Sequence, residues 1–597
     1  MKYVVATAGH VDHGKSTLVR ALTGIEPDRW EEERRRGLTI DLGFAWTTLP
    51  SGADVAFVDV PGHERFIPNM LAGLGPAPVV LFVVAADEGW SAQSDDHRDA
   101  LAALGIEHGL LVISRADRAT DTRIDDVIAS ARVELADTGL AEAPVVVVSA
   151  PEGRGLDELR TTLDAVLART PRPPTSGRVR FWIDRAFSRT GAGTVVTGTL
   201  AAGAIGVGDT LELVGADGYR AVGVRGLHSE GTALTTAAPV SRVAVNLRGV
   251  GVDTLNRGDA LVTPGAWHSS AQADIRRVGG VAFDDVPEQL VVHLGSAALS
   301  ARLRPFDADH ARLTFARAVP LSRGDRLVLR NPGQRIVGGG IVLHPDPPEL
   351  RRRGDSARRA TALARMSDAD GAAEEVARRG AMRVAELRRL GLVGEGDAAP
   401  AGVRVVDDWW VDESSCAAWA ERLRRAVVEV HARDPIAAGL SRSGASVMLG
   451  LPDGALLPTV VAGAGLVSVD GHLSIPGHVP DLGDAEEAIG ALERRLTEHP
   501  FRAPEADDLS ALGLGARELA AAERTGRILR LPDGVVLLPT APALAMRTLA
   551  ALPQPFTTSE ARQALGTTRR VVIPLLEHLD GRGWTRRIDA GHREVVR

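Results

Sequence analysis

Gly9-His10-Val11-Asp12-His13-Gly14-Lys15-Ser16 decides the fold of the first part of this chain. The run matches G-x-x-x-x-G-K-[ST] and lies between an apolar stretch at residues 3–6 and a helix-like stretch at residues 16–22. In that setting the glycines let backbone N–H groups close on phosphate oxygens, and the helix N-terminus adds a favourable dipole. Lys15 is placed to reach the β- and γ-phosphates, and Ser16 to put its hydroxyl on Mg2+. The lysine gains weight from its rarity. Of 69 basic residues only Lys2 and Lys15 are lysine, and asparagine occurs four times, as Asn69, Asn246, Asn256 and Asn331. Both residue types use A/T-rich codons, so a coding sequence drifted toward G and C accounts for the excess of arginine. A lysine retained at the phosphate position supplies a compact point charge that a planar guanidinium does not reproduce.

Outward from this loop, residues 1–170 alternate apolar runs (3–6, 55–60, 79–85, 110–113 and 145–148) with helix-like stretches. Continuous Val/Leu/Ile runs of this kind belong to parallel strands buried on both faces. The other parts of a GTP/GDP site follow in order. Asp59-Val60-Pro61-Gly62 closes a strand, placing Asp59 to hold Mg2+ through a water and Gly62 to donate its N–H to the γ-phosphate. Thr39, in Arg36-Gly37-Leu38-Thr39-Ile40, falls between the two, where a switch threonine completes the metal shell. Asp117 follows the 110–113 strand and offers a carboxylate to both guanine N–H donors. Ser149-Ala150 follows the last strand and offers a backbone N–H to the base O6.

A chain of 597 residues predicts several domains rather than one core. No run approaches 18 uncharged apolar residues, so no membrane span is expected. The N-terminus enters a strand pattern directly, without the apolar region of a signal peptide. The single cysteine, Cys416, makes neither an internal disulfide nor a cysteine zinc site. A cytoplasmic monomer is the expectation. A net charge of −8 argues against binding nucleic acid through bulk charge and requires a local patch instead. Pro171-Arg172-Pro173-Pro174-Thr175-Ser176 reads as a stiff linker. Short strands with Gly-Asp turns then predict two β-barrels, at 177–267 and 270–347. Beyond a second proline-rich break, helices and β-ribbons recur about every 60 residues, each unit reading helix, helix, ribbon. This rhythm predicts about four winged-helix modules, at 350–412, 413–480, 481–540 and 541–597. The fold class is thus multidomain: an α/β P-loop GTPase domain over 1–170, two β-barrels, then an α+β winged-helix array.

With these pieces in place, Gly9 to Ser16, Thr17 and Asp59-Val60-Pro61-Gly62-His63-Glu64 resemble the translational GTPases of the elongation factor Tu superfamily. Residues 37–44, the 187–199 run Phe-Ser-Arg-Thr-Gly-Ala-Gly-Thr-Val-Val-Thr-Gly-Thr and the ending around Pro574 to Asp580 resemble the bacterial selenocysteine-specific elongation factors, the SelB family. The resemblance implies that His63 orients the attacking water and that Val11 and Ile40 form an apolar gate that parts on the ribosome. It also implies nucleotide exchange without a dedicated exchange factor. One motif departs from the pattern: the guanine-reading Asn-Lys-x-Asp is here Ser114-Arg115-Ala116-Asp117. Both changed positions normally hold residue types this chain avoids, and loss of the asparagine brace puts loop rigidity in doubt more than base identity.

Aligned on the shared run, Asp184 and Arg185 fall where elongation factor Tu has two acidic pocket residues, and Arg242 where it has an asparagine. A selenol is an anion at neutral pH, and two guanidiniums favour it over a neutral serine side chain. The last 47 residues carry eight arginines against five acids, with pairs at Arg569-Arg570 and Arg586-Arg587. In a winged helix the first pair is expected to open the second helix and the second to lie on the ribbon, together gripping an RNA stem-loop. The resemblance implies a GTP-dependent carrier of selenocysteyl-tRNA, acting on the ribosome at UGA codons and reading an mRNA insertion hairpin. Delivery of ordinary tRNA, ribosome rescue, or regulation of a sulfate-activating enzyme stay open at this point.

Overall fold

Val79-Val80-Leu81-Phe82-Val83-Val84-Ala85 contains no polar side chain, and every residue of the strand it forms is buried. Such a strand needs cover on both faces. In the computed structural model, which describes residues 2–27, 39–191, 193–333, 335–366, 371–479 and 481–596, it is the central β4 of a six-stranded sheet. Arg36, Gly37, Leu38 and Ala192, quoted above within motifs, lie outside the described residues. The sheet comprises β1 (Lys2–Ala8), β2 (Gly43–Thr48), β3 (Asp54–Asp59), β4 (Val79–Ala85), β5 (His108–Ser114) and β6 (Val145–Val147), in the order β2-β3-β1-β4-β5-β6. Only β2 runs antiparallel to its neighbour. Alternation along the strands divides the core in two. Val4, Ala6, Phe82 and Val84 pack on one face with Met70, Leu101 and Ile124. Tyr3, Val5, Leu81 and Val83 pack on the other with Leu18, Leu22 and Leu163.

The chain divides into two compact units, Met1–Glu374 with Arg383–Ala398, and Glu375–Met382 with Ala399–Arg597. The first holds the GTPase domain and both barrels. The first barrel is built from β7 (Arg180–Arg189), β8 (Gly193–Leu200), β9 (Ile205–Gly206), β10 (Thr210–Gly215), β11 (Gly218–Ser229), β12 (Thr232–Leu234), β13 (Thr236–Ala237), β14 (Ser241–Arg248) and β15 (Ala260–Val262). Its main sheet runs β10-β15-β7-β8-β14-β11-β12, and pairing of β10 with β11 closes six strands into a ring. The register of β7 on β8 shifts between Ile183 and Arg185, so Asp184 sits in a bulge. A bulge re-aims the side chains beside it: Arg185 reaches Asp41 of the GTPase domain, while Asp184 takes Arg242 of β14. The second barrel closes in the order β16-β19-β18-β17-β20-β21, from β16 (His268–Gly280), β17 (Gln289–Leu294), β18 (Ala297–Pro305), β19 (His310–Leu321), β20 (Arg326–Arg330) and β21 (Ile336–His344).

The remainder forms winged-helix modules. The fourth shows the full order: helix Ala541–Leu549, strand Phe556–Thr557, helices Thr558–Ala564 and Arg569–Gly581, then a ribbon of Thr585–Arg587 with His592–Val595. The second has the same order, from helix Glu413–Arg433 to the ribbon Val467–Val469 with His472–Ser474. Each therefore holds three helices and a short leading strand rather than two helices. Two-residue strands have no readable alternation, and in the second module Gly450-Leu451-Pro452 separates two helices of eight and seven residues. The Arg569-Arg570 pair accordingly opens the third helix of its module, not the second. Among the described residues no single helix is long and apolar enough to cross a membrane.

The second barrel holds the helix Asp355–Arg365 through a buried charge. Asp274, fully buried, accepts from Arg312 Nε (2.7 Å) and Nη2 (3.0 Å) and from Arg359 Nε (2.7 Å). Asp274→Ala leaves two guanidiniums uncompensated and is expected to cost about 3–5 kcal/mol. Arg302→Ala, which breaks the exposed pair with Glu288, is expected to cost at most about 1 kcal/mol. Comparison of urea denaturation curves of the two variants checks this.

Candidate functional site

The phosphate loop leaves β1 at Gly9, whose backbone has φ 126°, and a Cβ there would lie 2.1 Å from the Val83 carbonyl oxygen. Only glycine fits this crossing of β4. The loop ends at Gly14, the N-cap of helix α1 (Lys15–Thr23). Lys15 is buried, and its Nζ donates to the carbonyls of Gly9 (2.9 Å) and His10 (2.7 Å). Val11, Asp12, Gly14, Lys15, Ser16, Thr17, Thr39, Gly62, Ser114, Arg115, Asp117 and Ala150 line one cleft of about 490 Å3, so most residues expected of the nucleotide site share one wall. Ser149 backs it, its Oγ donating to Asp117 Oδ1 at 2.7 Å and holding that carboxyl below the usual range.

At one end Ser16 Oγ lies 3.0 Å from Thr39 Oγ1. Asp59, fully buried beside them, accepts from Thr7 Oγ1 through Oδ1 (2.7 Å), while among the described residues its Oδ2 has no hydrogen-bond partner. Burial pushes the Asp59 carboxyl up, against the opposing pull of Ser16, the Lys15 charge and Thr7. A buried carboxylate oxygen awaiting a partner beside two hydroxyls is a donor set that fits a small, hard cation. His63 is half-buried and does not line the cleft; its Nδ1 accepts from Arg65 N at 3.2 Å.

The altered guanine segment is held in place. Ser114 Oγ donates to the His13 carbonyl at 2.6 Å, tying β5 to the phosphate loop. The Arg115 guanidinium donates to the Asp12 carbonyl and pairs with Glu88 (2.6 Å) and Asp87 (3.4 Å). The loop expected to lose its brace therefore has one of different chemistry.

Beneath the loop sit His13 and His97, both buried. His13 is pulled down to about 3, chiefly by burial, and His97 falls well below the ordinary range for the same reason.

A second cleft, of about 220 Å3, opens between the GTPase domain and the first barrel. Phe44, Trp46, Arg185, Phe187, Thr197, His228 and Arg242 are among its lining. Arg242 forks onto the buried Asp184 carboxylate, with its Nη2 at 2.8 Å from Oδ1, and lies 3.8 Å over the Phe44 ring. Thr197 Oγ1 also donates to Asp184 (2.8 Å). Arg185 donates to Asp41 Oδ2 at 3.0 Å. Asp184, Arg185 and Arg242 are thus brought together, and both guanidiniums are already paired. Sequence reasoning missed Asp41, Arg257 and Asn69: Arg257 donates to Asp41 Oδ1 (2.7 Å), to Asn69 Oδ1 (2.5 Å) and to the Asp184 carbonyl (2.9 Å). Burial raises Asp41, but Arg257, the backbone and Arg185 outweigh it and hold the carboxyl below its usual range. Asn69, one of four asparagines in a chain that avoids them, was the available signal.

The terminal arginines are not equivalent. Arg569 is exposed at the start of its helix. Arg570 donates to the carbonyls of Ala503 (3.2 Å) and Pro504 (3.0 Å) and pairs with Glu505 (3.1 Å), bracing one winged helix on the next. Arg586 pairs with Glu594 across the ribbon, and Arg587 caps the turn carbonyls of Asp589 (3.0 Å) and Ala590 (3.2 Å).

The family described as Elongation factor Tu GTP binding domain matches residues 2–169. The descriptions Selenocysteine-specific elongation factor, beta-barrel domain, and Elongation factor SelB, winged helix, match 287–349 and 547–593. The selenocysteine-specific elongation factor of Desulfomicrobium baculatum is 32% identical over 100% of both chains. The chain belongs to the selenocysteine-specific elongation factor family. The Escherichia coli member is 36% identical over 64% of this chain and 62% of its own. The crystal structure of a bacterial selenocysteine-specific elongation factor, EF-Sec, superposes with a TM-score of 0.82 over 100% of both chains at 24% identity, which supports the shared fold. As a member of this family the chain is a translational GTPase that binds guanine nucleotide.

Two outcomes follow from the geometry of the nucleotide cleft. Ser114→Ala removes one hydrogen bond of about 1 kcal/mol, so GDP affinity is expected to fall by roughly fivefold, read by fluorescent-nucleotide titration. His13 and His97 stay neutral in the fold while the unfolded chain takes protons. Stability is therefore complete above pH 6.5 and is lost progressively as pH falls from 6.5 toward about 3. Thermal melts across that window, with a shallower slope in His13→Gln, check the sign.

Proposed function

We propose that this factor, in its GTP form, carries selenocysteyl-tRNA to a ribosome paused at a UGA codon, with its terminal winged helix reading an insertion hairpin in the mRNA. The second cleft carries the reading. Arg185 and Arg242 line it beside Phe44, Arg242 oriented by Asp184, whose carboxylate Thr197 also bonds, and Arg185 by Asp41. A selenolate adds a charge-assisted acceptor for these already paired guanidiniums, which the neutral hydroxyl of serine does not match.

Hydrolysis of GTP asks the protein for positioning and electrostatics rather than covalent chemistry. Lys15, now resting on loop carbonyls, turns its ammonium to the β- and γ-phosphates. The N–H groups of the loop through Thr17, and that of Gly62, hold the phosphate oxygens. Asp117 receives the two guanine N–H donors, kept in line by Ser149, and the Ala150 N–H meets O6. Ser16 and Thr39, with Asp59 through a water, would hold Mg2+, which neutralises charge on the phosphate oxygens. With Nδ1 engaged by Arg65, His63 has Nε2 left to orient the attacking water once the ribosome has parted Val11 and Ile40.

Arg185→Ala and Arg242→Ala are expected to abolish discrimination of selenocysteyl-tRNA from the same tRNA charged with serine, measured by equilibrium binding; unchanged discrimination in both refutes the reading. On the RNA side, Arg569→Ala is expected to weaken hairpin binding and lower the slope of log affinity against log salt by about 1. Arg570→Ala is expected to act through the winged-helix joint, lowering the melting temperature more than the salt slope.

A further inference from the structure

Thr39, Ile40 and Asp41 are consecutive, and each is attached to something different. Thr39 Oγ1 lies 3.0 Å from Ser16 Oγ in the nucleotide cleft. The Ile40 carbonyl accepts from Asn69 Nδ2 at 2.8 Å. Asp41 accepts from Arg185 (3.0 Å) and from Arg257 (2.7 Å). Arg257 then returns to Asn69 (2.5 Å) and to the carbonyl of Asp184, whose carboxylate holds Arg242. Three residues of backbone therefore join the nucleotide cleft to the arginines of the second cleft.

Among the described residues the charges in this cluster do not cancel. Arg185, Arg242 and Arg257 face Asp41 and Asp184, which leaves one positive charge in excess. Glu230, which also lines the cleft, is matched by Lys2 at 2.5 Å. The surplus equals the charge of one monoanionic side chain. Without Arg257 the cluster is neutral, and the two arginines that line the cleft are then fully answered by their own acids. Without Asp41 the surplus grows, and Arg185 loses the anchor that orients it.

We propose that Asp41 and Arg257 are positioning residues: Arg257 supplies the surplus charge that selects an anionic aminoacyl side chain, and Asp41 makes the orientation of Arg185 depend on the nucleotide held at Ser16 and Thr39. The inference rests on the tRNA reading above and assigns the specificity and regulation of that same cleft. When Thr39 is drawn to Ser16, Asp41 is set against both arginines and the cleft is pre-organised. When Thr39 withdraws, Asp41 goes with it and the differential contact is lost, as a nucleotide-controlled shift requires.

The test measures binding of selenocysteyl- and seryl-tRNA, built on one tRNA, to the full-length protein with a non-hydrolysable GTP analogue or with GDP. Arg257→Gln is expected to reduce the selenocysteyl-over-seryl preference by at least about tenfold in the GTP form, and Arg257→Lys, which keeps the charge, to retain it. Asp41→Asn is expected to keep the preference while the GTP-to-GDP ratio of selenocysteyl-tRNA affinity narrows by at least about tenfold. Equal weakening of both tRNAs in Arg257→Gln marks a merely structural role and overturns the proposal. So does an unchanged GTP-to-GDP ratio in Asp41→Asn. If Arg257→Gln fails to bind nucleotide through misfolding, Arg257→Lys decides, and loss of preference there overturns the proposal. Wild-type protein without a preference refutes the tRNA reading itself and the inference with it. A preferring wild type with unaffected variants refutes the inference alone.

Discussion

Asp184 places a carboxylate, 5% exposed, in the wall of a β-barrel, and a charge in that position has to be answered in full. The bulge between Ile183 and Arg185 puts it there, and β8 and β14 supply the answers: Thr197 from one, the Arg242 fork from the other. A forked guanidinium satisfies both carboxylate oxygens at once, which the point charge of a lysine does not. With Arg242 fixed by this pairing, its Cζ lies 3.8 Å over the ring of Phe44 in the GTPase domain. The junction between domain and barrel thus forms around one buried acid, and the second cleft is the space left beside it.

That junction also gives the proposed coupling of the two clefts its route. A site transmits its state only through an element that makes different contacts in different states. The 39–41 segment is short, bonded at each residue, and shared by both sites. Loops of long flexible chain dissipate such shifts; three consecutive residues, each bonded, do not. Asn69, on the helix Ile67–Leu74, bonds at once to the segment's backbone and to Arg257, and so keeps the three partners in register.

Much of this was legible in sequence because it is local. The phosphate loop is eight contiguous residues, the parallel strands are unbroken apolar runs, and the barrels announce themselves through Gly-Asp turns. The winged helices were legible as a rhythm, although strands of two residues and the short helix Leu457–Gly463 carried no period to count. The second cleft was legible only where motif alignment supplied positions. Asp41 meets Arg185 across 144 residues and Arg257 across 216, and nothing in either local sequence points to the other. Among 67 arginines, Arg257 had no distinguishing mark. Its partner Asn69 did, by the same rarity that drew attention to Lys15. The pairing of both pocket arginines with acids was likewise invisible, and it changes the electrostatic argument from two free cations to one surplus charge.

The same compositional drift met two lysine positions in the nucleotide cleft with opposite results, and space accounts for the difference. At Arg115 the side chain lies along the outside of the phosphate loop, where a broad guanidinium reaches the Asp12 carbonyl, Glu88 and Asp87 together. The larger group fits there and makes more contacts than an ammonium. Lys15 is enclosed: its Nζ rests on two carbonyls of the loop, and a single added carbon on Gly62 would lie 2.6 Å from it. No planar five-donor group fits that volume without moving either Gly62 or the loop. Ser114 shows the same logic for the neighbouring asparagine position, since a short hydroxyl at 2.6 Å reaches the His13 carbonyl and leaves the strand end undisturbed. Drift toward arginine and serine is tolerated where the contact can be remade in a different shape, and is blocked where the surrounding backbone leaves room for only one.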